Sequence, residues 1–487
     1  MRKTVVRILA LALCLVSIMG IASCGKDTPA ASPSTSTQPS ESVKPSESAK
    51  PSESASPPPA SESASQASED PAPAEKIEII FTLWGDPAEQ EVTQQNLDRF
   101  NALQDRIHVT ALQIGRDEYL QTLQTRATSG TMPDCGMVAE DSVIGWARDG
   151  LLMQYDIFEG QSSKPLDSLA FKDNGKVVAY SSCNEILALW YNREMFDAAG
   201  VEYPPTTLAE AWTWDEFIEV AKQLTFDANG RTPNDAGFDK DNIVQYGCYV
   251  NQYTWQLEVW ALSNGGRFFS QDGKSIVFDD AAIDALQQVF DLHLVHHVAP
   301  FIDGTQDAGF SSSIGAFNVA MATEGQWAVG FRDGSLDYGV AVLPFMVKKA
   351  NISTAGPTAV FAGSKNPEAA AEFLRWYNDE DNNFATIEAG WWMPARMNWY
   401  TDEALLKKWI DDVAVRQPLT AADYRTAIVD VALDSSVTTS TCWYYTPRTT
   451  EVYNILRPAL VEAINGSKTA KDVIESVRPA MEAALAS

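Results

Sequence analysis

The chain carries 14 Trp and 15 Tyr, and several stand beside carboxylates where strand-like runs end. That pairing has a definite chemistry. An aromatic face is electron-rich and stacks on flat arrays of polarised C–H groups. Carboxylate, amide and guanidinium groups can then bond the hydroxyls around the same ring. A site built from both suits a neutral polyhydroxylated ring, that is, a sugar. Trp84 and Asp86 close the first β-rich run, Ile77 to Trp84, where open α/β sheets hold ligands. Glu140 and Asp141 follow the next such run, and Tyr180, Asn184 and Glu185 precede Trp190-Tyr191-Asn192. Trp255 lies in a Tyr-Thr-Trp-Gln-Leu-Glu segment, and Glu324 and Trp327 flank Gly325-Gln326. Trp391 and Trp392 precede Met393-Pro394-Ala395-Arg396, and Trp443-Tyr444-Tyr445 comes late in the chain. All of these, Arg396 and Tyr444 included, are candidate ligand contacts.

Each has a structural alternative. Asp86 can cap a helix, Glu140-Asp141 can be a solvated loop pair, Glu185 can be a buried acceptor, and any of the tryptophans can be core. Trp214 and Trp376 fall on helix faces and are read as packing. His293 and His297 have the i,i+4 spacing of some metal pairs, but no acidic third ligand stands nearby, so a solvated helix end is the better reading. Asp227-Ala228-Asn229-Gly230, with Asp235, Asp239 and Asp241 downstream, lacks the closing Glu of a Ca²⁺ loop and reads as a turn insertion. Neither a Gly-x-Ser-x-Gly elbow nor a His-Glu-x-x-His pair occurs. No metal, cofactor or catalytic residue is therefore expected. Carboxylates are abundant, however, so composition leaves a glycoside hydrolase open, as it does an adhesion or structural role.

The elements that must position these residues begin after two segments of other kinds. Arg2, Lys3 and Arg7 precede an apolar stretch, Ile8 to Ile21, that is shorter than a membrane-spanning helix and ends in Ile-Ala-Ser-Cys-Gly. This reads as a signal peptide (1–23), and its ending resembles the bacterial lipobox, which makes Cys24 the lipidated first residue of the mature chain. Residues 24–75 are nearly all Ser, Pro, Ala, Glu, Lys and Thr, with Pro-Ser-Glu-Ser at Pro45 and Pro51. They have nothing to bury and form a semi-extended tether. Of 36 basic and 65 acidic residues, the first 75 hold six and eight, so 76–487 keeps 30 and 57, a net charge of -27. A field of that sign repels nucleic acid and anionic lipid. Cys135, Cys183, Cys248 and Cys442 are too scattered for a metal site, and both disulfides and buried thiols fit them.

From residue 76 strand and helix patterns alternate, which is the signature of α/β layers. Pro87 and Glu89 after Asp86 signal a helix start, and Thr213-Trp214-Asp215-Glu216 is a capping box. Ile283, Leu286 and Phe290 mark one amphipathic helix. Ala369, Ala370, Phe373, Leu374 and Tyr377 mark another after Asn366-Pro367, and Tyr338 to Phe345 reads as a strand. About 400 residues exceed one core, so two lobes are expected.

The order of motifs resembles the family 1 extracellular solute-binding proteins of ABC transporters, the maltose-binding-protein-like group. The resemblance rests on Leu83-Trp84-Gly85-Asp86, Pro133-Asp134 before Gly136-Met137-Val138, Leu189 to Phe196, Thr213 to Phe217, Ala320-Met321 with Gly325-Gln326-Trp327-Ala328, Tyr338 to Pro344, Glu372-Phe373-Leu374 and Met393 to Arg396. It covers essentially all of 76–487. It implies a two-lobed periplasmic-binding-protein-like fold of type II, with several crossovers, a ligand cleft between the lobes and closure on binding. The lobe spans it implies are about 76–184 with 345–386 and about 185–344 with 387–487. By the same resemblance Trp327 and Trp443 supply stacking rings, while Asp86 and Glu185 supply polar contacts. The implied partners are an oligosaccharide and the permease subunits of an importer. The lipobox-like ending points to a lipid anchor and the long Ser/Pro tether to a Gram-positive-type surface, and a monomer is expected. Pro87 stands where the family's sugar-contacting Lys is expected, which puts maltose itself in doubt.

Overall fold

The computed structural model describes residues 76–85, 87–161, 164–166, 169–301, 318–331, 336–354, 356–382, 384–415 and 419–486. The expected signal peptide, Cys24, the tether, Asp86 and the side chain of Asp141 lie outside the described residues. The strands are β1 (Ile77–Leu83), β2 (Ile107–Gln113), β3 (Cys135–Met137), β4 (Ala170–Asp173), β5 (Lys176–Ser181), β6 (Glu185–Asn192) and β7 (Phe226–Asp227). They continue with β8 (Ile243–Val250), β9 (Val319–Gly325), β10 (Tyr338–Ala341), β11 (Asn351–Thr354), β12 (Pro357–Val360) and β13 (Thr438–Ser440).

Two sheets form. The first runs β2-β1-β3-β12-β5-β4, the second β13-β11-β6-β9-β8-β7, with β10 paired to β6. In the first sheet β1 is parallel to β2 and β3, the return strand β12 runs against β3 and β5, and the edge strand β4 runs against β5. Mixed sheets of this kind, flanked by helices, are the α/β layers expected. The chain crosses between sheets at Ser182–Asn184 and again between Thr354 and Pro357. That second crossing comes later than the boundary near 345 expected from the sequence, because Ser353 and Thr354 pair with Ile186 and Glu185 and so bind β11 into the second sheet.

Strand β6 is covered on both faces within the second sheet's layers. Its sequence, Glu-Ile-Leu-Ala-Leu-Trp-Tyr-Asn, is buried from Ile186 onward. Side chains alternate across a strand, so Ile186, Ala188 and Trp190 enter one core while Leu187, Leu189 and Tyr191 enter another. A strand covered on both faces reads as a continuous apolar run. The first core also holds Phe81, Phe100, Phe373 and Tyr377 beneath the first sheet, and the second holds Trp214, Trp260, Phe290 and Leu456.

Local signals are realised. The Thr213 hydroxyl accepts from Glu216 N, and Glu216 returns the bond to Thr213 N at 2.8 Å. Helix Pro87–Leu103 starts where Pro87 predicts, and Pro367–Tyr377 buries the expected face. Between Tyr338 and Phe345 the strand ends at Ala341, with Phe345 held only by an isolated bridge to Thr213. Trp214 is core, and Trp376 packs on Phe100 and Phe373. All four cysteines of the described residues are buried free thiols. The Asp227 carboxylate is occupied by N–H groups of its own turn, from Asn229, Arg231 and Asp239. His293 and His297 bond backbone carbonyls at Ile464 and His293. No helix among the described residues is long and apolar enough to cross a membrane.

The segment Trp391–Arg396 is a third strap between lobes. Met393 bridges to Asn184 and Arg396 to Pro165. Arg396 is buried and paired with both Glu380 and Asp379, while Glu380 also accepts the backbone N–H groups of Ala395 and Arg396 at 2.8 Å. Removing one partner of such a pair strands the other charge. Glu380→Gln is expected to cost about 3 kcal/mol in urea unfolding, whereas Lys468→Ala, which breaks an exposed pair with Glu462, should change stability by less than about 1 kcal/mol.

Candidate functional site

The parallel arrangement of β1 and β3 brings their carboxyl ends together, and β5 ends beside them because it is parallel to β3 through β12. Across the crossover, β6 starts with Glu185 opposite the end of β9, with Leu187 paired to Gly325. Parallel β8 ends next to it at Val250. One edge therefore collects Trp84 and Glu140 from the first lobe and Glu185, Asn251, Gly325 and Trp327 from the second. The lobes touch here. Phe171 packs on Tyr444 at 4.5 Å, Ser142 Oγ lies 3.2 Å from Thr450 Oγ1, and Arg448 reaches Asp149 at 3.3 Å.

Aromatic and acidic groups share this edge. Trp255 and Trp327, both partly exposed, lie 5.9 Å apart at 47°. Gly325 makes this possible, since a Cβ there would lie 2.1 Å from the Trp327 ring. Trp84, also partly exposed, meets Tyr119 edge-on at 4.6 Å, and the Tyr119 hydroxyl is tied to the Met137 carbonyl at 2.7 Å. Among the described residues Glu185 accepts only from the Cys183 thiol (3.5 Å) and the Thr354 hydroxyl (3.2 Å). Burial first, then the nearby carboxylates of Glu140 and Glu89, push its acid up from 4.5 to about 8. Burial, with Glu140 and Glu185 next, likewise drives the Tyr444 phenol well up.

Three buried polar atoms on this edge have no hydrogen-bond partner among the described residues: the Tyr444 hydroxyl, Gln256 Oε1 and Gln326 Oε1. Orphaned groups of this kind are rare in folded proteins and call for a ligand or water. Gln256 and Gln326 are fixed through their other ends, to Glu324 Oε1 at 3.2 Å and the Trp391 carbonyl at 3.3 Å. The arrangement offers stacking faces, hydroxyl partners and one protonated carboxyl.

The candidates read from the sequence divide accordingly. Trp84, Glu140, Glu185, Trp255, Trp327 and Tyr444 gather on the edge. Glu324 stands behind it, its carboxylate holding Asn251, Gln256 and the Gly325 N–H. The others are engaged in the scaffold, contrary to the expectation of ligand contact. Tyr180 packs on Phe158 and donates to Asp156 at 3.0 Å. Asn184 bonds the Tyr400 and Ser353 hydroxyls. Trp391 and Trp392 are core residues of the third strap, and Arg396 is held in its ion pairs. Trp443 is 3% exposed, packed edge-on against Phe269 at 5.2 Å within the second core. Its neighbour Tyr444 turns the other way, into the first core against Phe171, and Glu258, buried beneath, accepts from Thr441 and Cys442 N and fixes the turn.

Sequence reasoning missed Glu89, Gln256, Gln326 and Asn251. Glu89 reads as a helix-capping residue, yet its charge reaches Glu185. Gln256 follows Trp255 and Gln326 precedes Trp327, so adjacency to the tryptophans was the available signal.

Two expectations follow. With the Glu185 acid near 8 in the fold and near 4.5 unfolded, the unfolded chain loses its proton first. Stability falls as pH rises through that window and levels off above it. Glu185→Gln should therefore raise the melting temperature relative to the parent at about pH 8 and leave it nearly unchanged at about pH 4, by differential scanning calorimetry. Gly325→Ala should expel the Trp327 ring, read as a change in tryptophan fluorescence, with a stability loss of about 1–3 kcal/mol.

The family profile described as bacterial extracellular solute-binding protein matches residues 84–384, well over half of the chain. Among solved structures, the ABC substrate-binding protein Lmo0181 of Listeria monocytogenes, in complex with cycloalternan, is 21% identical. The match covers 85% of this chain and 100% of that one, with a TM-score of 0.70. A solute-binding protein from Thermotoga lettingae bound with α-D-tagatose is 19% identical over 84% and 100%, at 0.67. The maltose/maltodextrin-binding domain from Bdellovibrio bacteriovorus, bound to maltotriose, is 19% identical over the same shares, at 0.66. These likenesses carry the two-lobed fold across a wide span of sequence. Together with the profile match they identify the chain as a member of the bacterial extracellular solute-binding protein family.

Proposed function

We propose that this protein captures a carbohydrate, an oligosaccharide rather than a single sugar, and delivers it to an ABC importer by lobe closure without chemistry. One observation carries the reading: the partly exposed Trp255–Trp327 pair sits on the same edge as three orphaned polar atoms and several carboxylates. Flat rings and unsatisfied hydrogen-bonding groups together match a sugar's C–H faces and hydroxyls. Similar proteins bound to cycloalternan and maltotriose support it. Cys24 carries the lipid that holds the protein at the outer face of a Gram-positive-type membrane, and the 24–75 tether lets a monomer reach its permease. Neither nucleic acid nor a cofactor takes part.

A second reading has its own support. Glu140 stands near Glu185, whose acid is raised to about 8, and an ionised carboxylate beside a protonated one is the acid–base pair of glycoside hydrolases. Calorimetric titration with an oligosaccharide panel, followed by chromatography of the recovered sugar, separates the two. Saturable binding with unchanged sugar supports capture; product formation establishes the hydrolase instead. In the same assay Trp255→Ala and Trp327→Ala are each expected to weaken binding by about tenfold, a stacking contact of about 1.5 kcal/mol. Unchanged affinity in both would remove the stacking platform.

A further inference from the structure

Carboxylates converge on Glu185 from separate elements. Glu89 comes from the first turn of helix Pro87–Leu103, Glu140 from the short 3₁₀ turn Glu140–Ser142, and Glu185 opens β6. The charges acting on Glu185 are those of Glu140 and Glu89, both of its own sign. Its two hydrogen-bond donors are a thiol and a hydroxyl, neither of them charged. A second observation points into the same place. The Tyr444 side chain is 6% exposed, braced by Phe171 from the first lobe, and its hydroxyl has no partner among the described residues while Glu140 and Glu185 both act on it. An acidic group of this kind, flanked by like charge and by an orphaned hydroxyl, lacks a donor that carries positive charge.

We infer that the ligand of this cleft is a glycan bearing a basic nitrogen, an amino sugar or an amine-linked oligosaccharide, whose ammonium lies between Glu185, Glu140 and the Tyr444 hydroxyl. The inference rests on the carbohydrate reading above and narrows it. An ammonium offers three donors, one for each carboxylate and one for the tyrosine oxygen. A neutral hydroxyl could satisfy one acceptor but leaves Glu185 in its protonated form, whereas an ammonium stabilises the ionised form beside Glu140. The net charge of -27 on residues 76–487 adds a field that draws cationic ligands toward the cleft. Charge balance also fixes a proton count. Glu185 is protonated in the free protein at neutral pH, so seating a ligand that is already an ammonium ionises it and releases its proton to the buffer.

The test uses the full chain and matched probes: maltotetraose against its 2-amino-2-deoxy counterpart, and cellotetraose against the corresponding glucosamine oligomer. Calorimetric titrations at about pH 6, where such amines are protonated, are run in buffers of different ionisation enthalpy. The amine-bearing member of a pair is expected to bind about tenfold tighter or more, a charge-assisted hydrogen bond's worth, with proton release close to one per site. Glu185→Gln should bring the pair level and abolish the proton release, and Tyr444→Phe should narrow the gap. If a neutral member binds as tightly as its amine counterpart, or the gap survives Glu185→Gln, the amine inference falls while carbohydrate capture stands. If no member of either pair binds, the carbohydrate reading falls and takes this inference with it.

Discussion

The pleat of one strand governs this molecule. Because β6 buries both faces, its register cannot slip by a residue without exchanging Ile186, Ala188 and Trp190 with Leu187, Leu189 and Tyr191 between two cores. Fixing the register fixes its ends. Glu185 must then stand at the crossover, opposite the end of β9 and next to β11. The same strand thus anchors the second sheet between two cores and presents Glu185 at the crossover from the first sheet. Moving Glu185 would require repacking both cores.

Acidity is the second organising feature, and it is not all of one kind. Glu258, Glu324 and Glu380 are buried carboxylates that brace backbone and side chains: the Thr441–Trp443 turn, the Asn251–Gln256 pair, and the strap at Ala395–Arg396. Their partners satisfy them, and they resemble structural rivets more than ligand groups. Glu185 differs in having weak donors and like-charged neighbours. Burial is common to all of these; what distinguishes the site is incomplete satisfaction.

Much of this was legible before any coordinates. Alternating strand and helix patterns, the Thr213 capping box and the Pro87 and Pro367 helix starts all depend on local chemistry, which a sequence displays directly. Motif order supplied the family. The site was half legible. Trp255, Trp327, Glu140, Glu185 and Tyr444 gather where strand ends suggested, but Trp443, Trp391, Trp392 and Arg396 went to the core and the third strap. An aromatic pair such as Trp443-Tyr444 has no local signal for which ring enters which core. That choice is made by Glu258, some 180 residues away, through its bonds to Thr441 and Cys442. Likewise the crossover at Thr354–Pro357 depends on pairing between β11 and β6, a non-local contact that hydropathy does not encode.

The contacts between lobes show how closure can answer to a ligand. Arg448 and Asp149 form a partly exposed ion pair, and such pairs contribute about 0–1 kcal/mol. The Ser142–Thr450 hydroxyl contact is neutral and 3.2 Å long. Phe171 against Tyr444 is the buried one of these three contacts, and the tyrosine hydroxyl has no hydrogen-bond partner among the described residues. This junction therefore crowds acidic groups about Glu185, whose acid is raised, and buries a polar atom with no partner among the described residues, while the contacts at the rim contribute little. A ligand shifts this balance only by binding the closed form better than the open one. The groups left unsatisfied at this junction are the ones the proposed ligand would satisfy, so under that proposal the same atoms serve recognition and set the cost of bringing the lobes together.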